Sequence, residues 1–104
     1  MSTINIKRHD TKGKFVDILK LDGNPINLSG ATIKFVLKKP GLSFKRTAVI
    51  TNAIGGAVEY QPVAEDVAQT GRYKQEWEVV FADTQILTVP NGTYNVVNIL
   101  IDLG

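Results

Sequence analysis

The sequence predicts an all-β protein, an Ig-like antiparallel β-sandwich of about 7–8 strands. Apolar side chains recur at every second position through much of the chain, which is the period of a half-buried strand. Groups of glycine, proline, asparagine and aspartate separate these runs, about one group every ten residues. The length of 104 residues, with 43% apolar and 21% charged residues, is typical of one globular domain, so we expect residues 1–104 to form a single sandwich.

The first half of the chain contains four predicted strands. The run 31–38 alternates most clearly, with Phe35 and Leu37 on one face and Lys34 and Lys38 on the other. The run 14–21 is ambiguous, because its apolar face would also carry an aspartate. Turn-forming sequences at 22–25 and 39–41 follow these runs. The expected strands lie near 4–8, 14–21, 31–38 and 44–51.

The second half adds four more predicted strands and at most one short helical turn, near 63–70. The most regular run is GRYKQEWEVVF, residues 71–81, in which aromatic and aliphatic side chains alternate with charged ones. The glycines at 55–56, the pair Asn91-Gly92 and the segment 82–84 supply the turns. The expected strands lie near 57–60, 71–81, 85–89 and 93–102. The predicted core side chains are Phe35, Tyr60, Tyr73, Trp77, Val79 and Phe81.

Glu76 and Glu78 flank the only tryptophan and are the one candidate acid pair. Residues two apart on a strand lie about 6.5–7 Å apart on one face, a separation that glycoside hydrolases use for two carboxylates. Both glutamates share their face with Lys74, however, and ion pairing on the solvated face is the simpler interpretation. The absence of cysteine and the single histidine, His9, exclude thiolate sites and multi-histidine metal sites within one chain. We therefore predict no enzyme and no cofactor.

Charge is unevenly distributed along the chain. Residues 1–46 hold ten of the twelve Lys and Arg but three of the ten Asp and Glu, and residues 47–104 hold the remainder. Such a division indicates either a nucleic-acid surface or unlike surfaces that meet between partners. The net charge of +2 and the lack of a nucleic-acid-binding motif favour protein partners. The predicted contact residues are Lys7, Arg8, Lys38, Lys39, Lys45, Arg46, Glu76 and Glu78.

The sequence contains neither a predicted membrane span nor a secretion signal. No apolar run approaches the roughly 20 residues that a transmembrane helix needs. The N-terminal segment MSTINIKRHDTKGK is polar. We therefore expect no membrane partner.

The order of motifs resembles the N-terminal domain of phage baseplate upper proteins, a β-sandwich family of tail and prophage proteins. IKRHDTKG resembles the family's opening I-K-R-G-D-T, with His9 at the glycine position. DGNPINLSGATIKFVLKKP is similar to D-G-x-P-x-D-L-T-G-A-T-V-x-F-x-x-K-K-P, with Asn27 at an aspartate position. GGAVEYQPVAEDVAQTGRYKQEWEVVF and TVPNGTYNVVNILI resemble the family's later motifs. The resemblance spans about residues 6–101.

This resemblance implies a structural, non-enzymatic component of the virion, made in the cytoplasm of the bacterial host. The family implies a connector or attachment domain in a tail, baseplate or fibre. Its partners would be other phage structural proteins and copies of the chain itself, and it implies no catalytic residue or cofactor. The alternative is a carbohydrate-binding module for host surface sugars, which requires Tyr60, Tyr73, Trp77 and Phe81 to be exposed.

Overall fold

The computed structural model describes residues 2–90 and 92–103 and confirms the all-β sandwich. It contains eleven strands, several of them only two to four residues long, and one short 3-10 helix. The strands are β1 (Thr3–Lys7), β2 (Phe15–Ile18), β3 (Lys20–Leu21), β4 (Asn24–Pro25), β5 (Thr32–Lys39), β6 (Leu42–Thr47), β7 (Val49–Asn52), β8 (Ala57–Tyr60), β9 (Gly71–Val80), β10 (Ile86–Val89) and β11 (Asn95–Leu100). The helix, Ala64–Val67, lies where the sequence predicted a helical turn.

The larger sheet is built around β9, the longest strand. Its strand order is β1-β11-β9-β5-β6, and β10 pairs with the part of β9 that β11 leaves free. β9 is antiparallel to β5 over seven residue pairs, from Thr32↔Val80 to Lys38↔Lys74. β1 runs parallel to β11, contrary to the antiparallel expectation. Parallel neighbours need a long connection, and here almost the whole chain lies between the two strands.

The smaller sheet has the order β2-β8-β7. Two of the predicted strands are each divided into two strands, at the points where the backbone begins to pair with a different strand. The predicted strand 44–51 divides at Ala48, whose N–H donates to the carbonyl of Ile33, and β6 and β7 lie in different sheets. The predicted strand 14–21 divides at Leu19, whose N–H donates to Gly56. Beyond that point β3 pairs with β4 in a separate hairpin.

Phe35 lies at the centre of the core, where three aromatic rings pack around it. Its ring centroid is 4.8 Å from Phe15, 4.7 Å from Tyr60 and 5.3 Å from Trp77. Tyr73 and Val79 are also fully buried. Phe81 packs against this cluster but is only partly buried, because β9 ends at Val80.

The predicted turns are tight and use residues with positive φ. Asp22 and Gly23, at φ 54° and 81°, form a two-residue hairpin between β3 and β4. Pro40-Gly41 connects β5 to β6, and Gly41 at φ 81° supplies the conformation that L-residues avoid. Of the predicted Asn91-Gly92 turn, Asn91 lies outside the described residues.

Candidate partner-binding surfaces

Salt bridges within the fold pair the basic first half of the chain with the acidic second half. Among the described residues, every salt bridge of a Lys or Arg side chain joins a cation from residues 1–46 to an acid from residues 47–104. The two halves therefore neutralise each other inside one molecule to a large extent. The pairs are Arg8–Asp102 at 2.7 Å, Lys14–Glu59 at 3.4 Å, Lys45–Glu78 at 2.8 Å, and Arg46 with Glu65 and Asp66 at 2.9 Å each.

Arg46 belongs to a partly buried network that attaches the 3-10 helix to the sheet. It lies opposite Phe35 on the inward face of β6. Asp66 is 2% exposed and accepts hydrogen bonds from Arg46 Nε at 2.9 Å, Tyr60 Oη at 2.5 Å and the N–H of Val63 at 3.0 Å. Burial, together with the hydrogen bond to Asp66, raises the pKa of Tyr60 well above its ordinary value. These contacts support a structural role for Arg46.

A nucleic-acid surface would need the cations of the N-terminal segment and those of β6 on one continuous surface, and the fold separates them. Lys7 is at the end of β1 and Lys45 is on β6, at opposite edges of the larger sheet. Arg8 donates to Asp102, and this hydrogen bond lowers the pKa of the Asp102 carboxyl. The Nδ1 atom of His9 lies 3.9 Å from the same carboxylate.

Glu76 and Glu78 point outward from β9 and are half-buried on the open face of the sheet. The carboxylate of Glu78 accepts a hydrogen bond from Lys45 at 2.8 Å. Lys74, which the sequence placed beside these acids, instead lies with its Nζ atom 4.7 Å from the ring centroid of Tyr94. The two glutamates thus lie on the same outward face of one strand.

A concave region of about 640 Å³ lies on the outward face of β5 and β9, beside Tyr94, and is one of two depressions of similar volume in the described part of the chain. We call it the cationic groove, since four of its eight side chains are Lys or Arg. Lys38 on β5 lies directly opposite Lys74 on β9, and Glu76 is its only acid. Its lining residues are Val36, Lys38, Lys39, Pro40, Arg72, Lys74, Glu76 and Tyr94.

Lys38, Lys39 and Glu76, which line this groove, are among the predicted contact residues, whereas Arg72, Lys74 and Tyr94 line it and are not among them. The signal for Arg72 and Lys74 was available, since the alternation of 71–81 places both on the outward face. What was not available was the register that brings Lys74 next to Lys38.

The outward face of the smaller sheet is apolar. Val16, Ile18 and Val49 are 66%, 53% and 58% exposed. Val16 and Val49 lie on either side of Glu59, which Lys14 pairs. This apolar face is a second candidate surface, of the kind that often marks a protein contact.

The described residues contain no group of three or more His, Asp or Glu side chains placed to hold a metal ion. Nor does any helix in residues 2–90 and 92–103 have the length and apolar character required to cross a membrane.

Comparison with known families and structures identifies the class of protein to which this sandwich belongs. It is a structural protein of the bacteriophage baseplate. The chain belongs to the BppU N-terminal domain family, whose model matches residues 2–104, and this confirms the resemblance seen in the sequence. The fold is similar to that of the N-terminal domain of phage TP901-1 ORF48, with a TM-score of 0.69 at 14% identity, covering 97% of this chain and 85% of that one. No curated protein sequence matches the chain.

Proposed function

We propose that this chain is a non-enzymatic connector, a single sandwich domain that holds other parts of a phage tail, baseplate or fibre together. The observation that carries the proposal is family membership over residues 2–104. The aromatic core around Phe35 supports it, since a densely packed sandwich provides a rigid frame with surfaces on both sheets. The chain would be made in the host cytoplasm and incorporated into the virion.

The surroundings of the two candidate catalytic carboxylates support a non-enzymatic role. Acid catalysis by a carboxylate pair requires two different environments, usually across a cleft. Glu76 and Glu78 instead project from one strand on the same face of the sheet, Glu76 into the cationic groove and Glu78 into an ion pair with Lys45. This arrangement suits a contact surface better than a reaction centre.

Sugar recognition receives less support than the connector role. A carbohydrate-binding module stacks sugars on exposed aromatic rings, and the sequence offered Tyr60, Tyr73, Trp77 and Phe81 for that purpose. Three of these rings are buried in the core and Phe81 is partly buried. Among the described aromatic side chains, Tyr94 does line a surface depression, but Lys74 lies over its ring.

Contacts between copies of this chain remain part of the proposal, but charge attraction supports them weakly. The acids that would receive the basic segments of a neighbouring copy include Glu59, Glu65 and Glu78, and each of these already pairs within its own chain. The exposed apolar residues Val16 and Val49 are more suitable for such contacts.

Chemical cross-linking of purified phage particles, followed by mass spectrometry, tests the connector role. We expect lysine cross-links between this chain and at least one other baseplate protein. Cross-links within the chain serve as the control, because their lengths must agree with the fold. Particles that lack the chain altogether would contradict the proposal.

A further inference from the structure

Unpaired positive charge is concentrated in the cationic groove. Four of the twelve Lys and Arg side chains form salt bridges among the described residues, which leaves eight. Half of these eight line this one depression: Lys38, Lys39, Arg72 and Lys74. The groove therefore holds half of the cations that no carboxylate pairs among the described residues, and of these Lys39 donates to the carbonyl of Thr70 at 2.9 Å.

The strand register makes this accumulation unfavourable for the isolated chain. Lys38 and Lys74 are directly opposite each other on adjacent strands, an arrangement in which like charges destabilise a sheet. Arg72 lies two residues from Lys74 on the same outward face, about 6.5–7 Å away along the strand. Lys38 and Arg72 form neither an ion pair nor a side-chain hydrogen bond with another described residue. An anionic partner would relieve this repulsion.

The side chains between these cations suit a protein segment. Val36 and Pro40 contribute apolar surface to the lining of the groove, and the ring of Tyr94 lies beneath the Lys74 ammonium. That ammonium has three donors and keeps its positive charge while it lies over the ring. Apolar contacts beside several ammonium and guanidinium groups fit an acidic peptide that also carries apolar side chains.

A second copy of this chain does not offer a matching acidic surface in its described residues. Five of the ten acids are in salt bridges, and a sixth, Asp17, accepts from the Trp77 indole. Glu76 is within the groove itself. Asp10, Asp22 and Asp83 remain, and they lie in three different turns. The partner must therefore supply its carboxylates from a different chain.

We propose that the cationic groove binds a carboxylate-rich segment of another baseplate protein. The proposal rests on the connector role, for which it names one surface and the chemistry of its partner. A nucleic-acid strand fits less well, because Lys7 and Arg8 lie at the far edge of the sheet and leave no continuous cationic track.

The test uses an octaglutamate peptide and two double variants of equal charge change. Arg72→Glu with Lys74→Glu reverses two charges in the groove. Lys12→Glu with Lys20→Glu reverses two exposed cations outside it. By fluorescence titration at low salt, we expect the groove variant to bind the peptide at least about tenfold more weakly than the wild type, and the control variant to lose less than about threefold.

Thermal unfolding provides a second measurement that does not depend on the peptide. Lys38→Gln removes one of the two opposed charges and leaves the contact of Lys74 with Tyr94 in place, so the midpoint of this variant should equal or exceed that of the wild type. A lower midpoint would show that repulsion between Lys38 and Lys74 is negligible and would overturn the argument from register.

Three binding results would also overturn the proposal: no binding of octaglutamate by the wild type, equal losses in the two double variants, or tighter binding of an oligothymidylate of the same length. These failures are separate from failure of the connector role. Cross-links to baseplate proteins in particles would still support that role if the groove did not bind the peptide. Binding of the peptide would leave the connector role unsupported if particles lacked the chain.

Discussion

At the scale of the residue, Trp77 connects the two sheets. Its ring packs edge-on against Phe35, with 5.3 Å between centroids, and its indole N–H donates to Asp17 on β2 at 3.1 Å. Asp17 is the residue that made the strand at 14–21 ambiguous in the sequence. Its position becomes understandable once the tryptophan is in place, because the carboxylate accepts the one polar hydrogen of an otherwise apolar ring.

Trp77→Ala should lower the free energy of unfolding by about 3–5 kcal/mol, the usual cost of deleting a large buried aromatic side chain. The ring is 2% exposed, so its removal leaves a cavity between the sheets. Val16→Ala is the control, since Val16 is 66% exposed and should change stability by less than about 0.5 kcal/mol. Chemical denaturation measures both. Equal effects would contradict the position of Trp77 in the core.

The raised pKa of Tyr60 predicts a loss of stability in alkali. Because the folded state holds the phenolic proton more tightly than the unfolded state, the free energy of unfolding is unaffected by this group below pH 10.0 and falls as pH rises above that value. Tyr60→Phe should show a smaller fall between about pH 10 and pH 12, although it is less stable at neutral pH because Asp66 loses a hydrogen-bond donor. Burial also raises the pKa of Tyr73, whose contribution is the same in both proteins. Identical pH dependence would contradict the burial of the Tyr60 hydroxyl.

At the scale of the element, the sequence revealed strand faces more accurately than strand partners. The alternation in 31–38 and 71–81 correctly placed Phe35 and Trp77 inward, because a period of two is a local property of the backbone. The divisions at Leu19 and Ala48 were not predictable, since both are small or aliphatic residues inside apparently continuous runs. They depend on hydrogen bonds that Leu19 and Ala48 donate to carbonyls in other segments of the chain, those of Gly56 and Ile33.

The same distinction applies to the cationic groove. The outward orientation of Lys38 and Lys74 followed from the alternation. Their juxtaposition depends on the pairing of β5 with β9, which is a non-local contact. The alternation within each strand therefore predicted which charged side chains face outward, but not that Lys38 and Lys74 lie side by side in one groove.

Gly56, in the turn between β7 and β8, should be sensitive to substitution. It has φ 71°, and a Cβ atom there would lie 2.6 Å from the carbonyl oxygen of Leu19. Gly23 has φ 81° with open space around the Cβ position, so Gly23→Ala should cost about 1–2 kcal/mol through backbone strain alone. Gly56→Ala should cost more than Gly23→Ala by chemical denaturation. Equal costs would show that the approach to Leu19 is not tight.

β6 carries two neighbouring cations with different predicted contributions. Arg46→Ala removes a charged hydrogen-bond partner of the buried Asp66 and should cost about 1.5–3 kcal/mol. Lys45→Ala removes an exposed ion pair with Glu78 and should cost less than about 1 kcal/mol. Denaturation midpoints distinguish the two variants. A larger effect at Lys45 would contradict the structural role of Arg46.

At the scale of the whole molecule, the fold satisfies most of its acids internally and leaves two distinct surfaces for partners. One is the cationic groove on the larger sheet, and the other is the apolar face of the smaller sheet around Val16 and Val49. The two lie on the outward faces of different sheets. A domain with extents of 45 × 25 × 22 Å could therefore contact two neighbours at once, as a connector requires.

The most direct test of the connector role is the mass of the assembly that forms when the chain is co-expressed with the other baseplate proteins of its phage. Sedimentation velocity at physiological salt measures this mass. The proposal predicts that the 11.4 kDa chain sediments within a larger complex that contains at least one other baseplate protein. A chain that sediments alone at 11.4 kDa in the presence of all of them would contradict it.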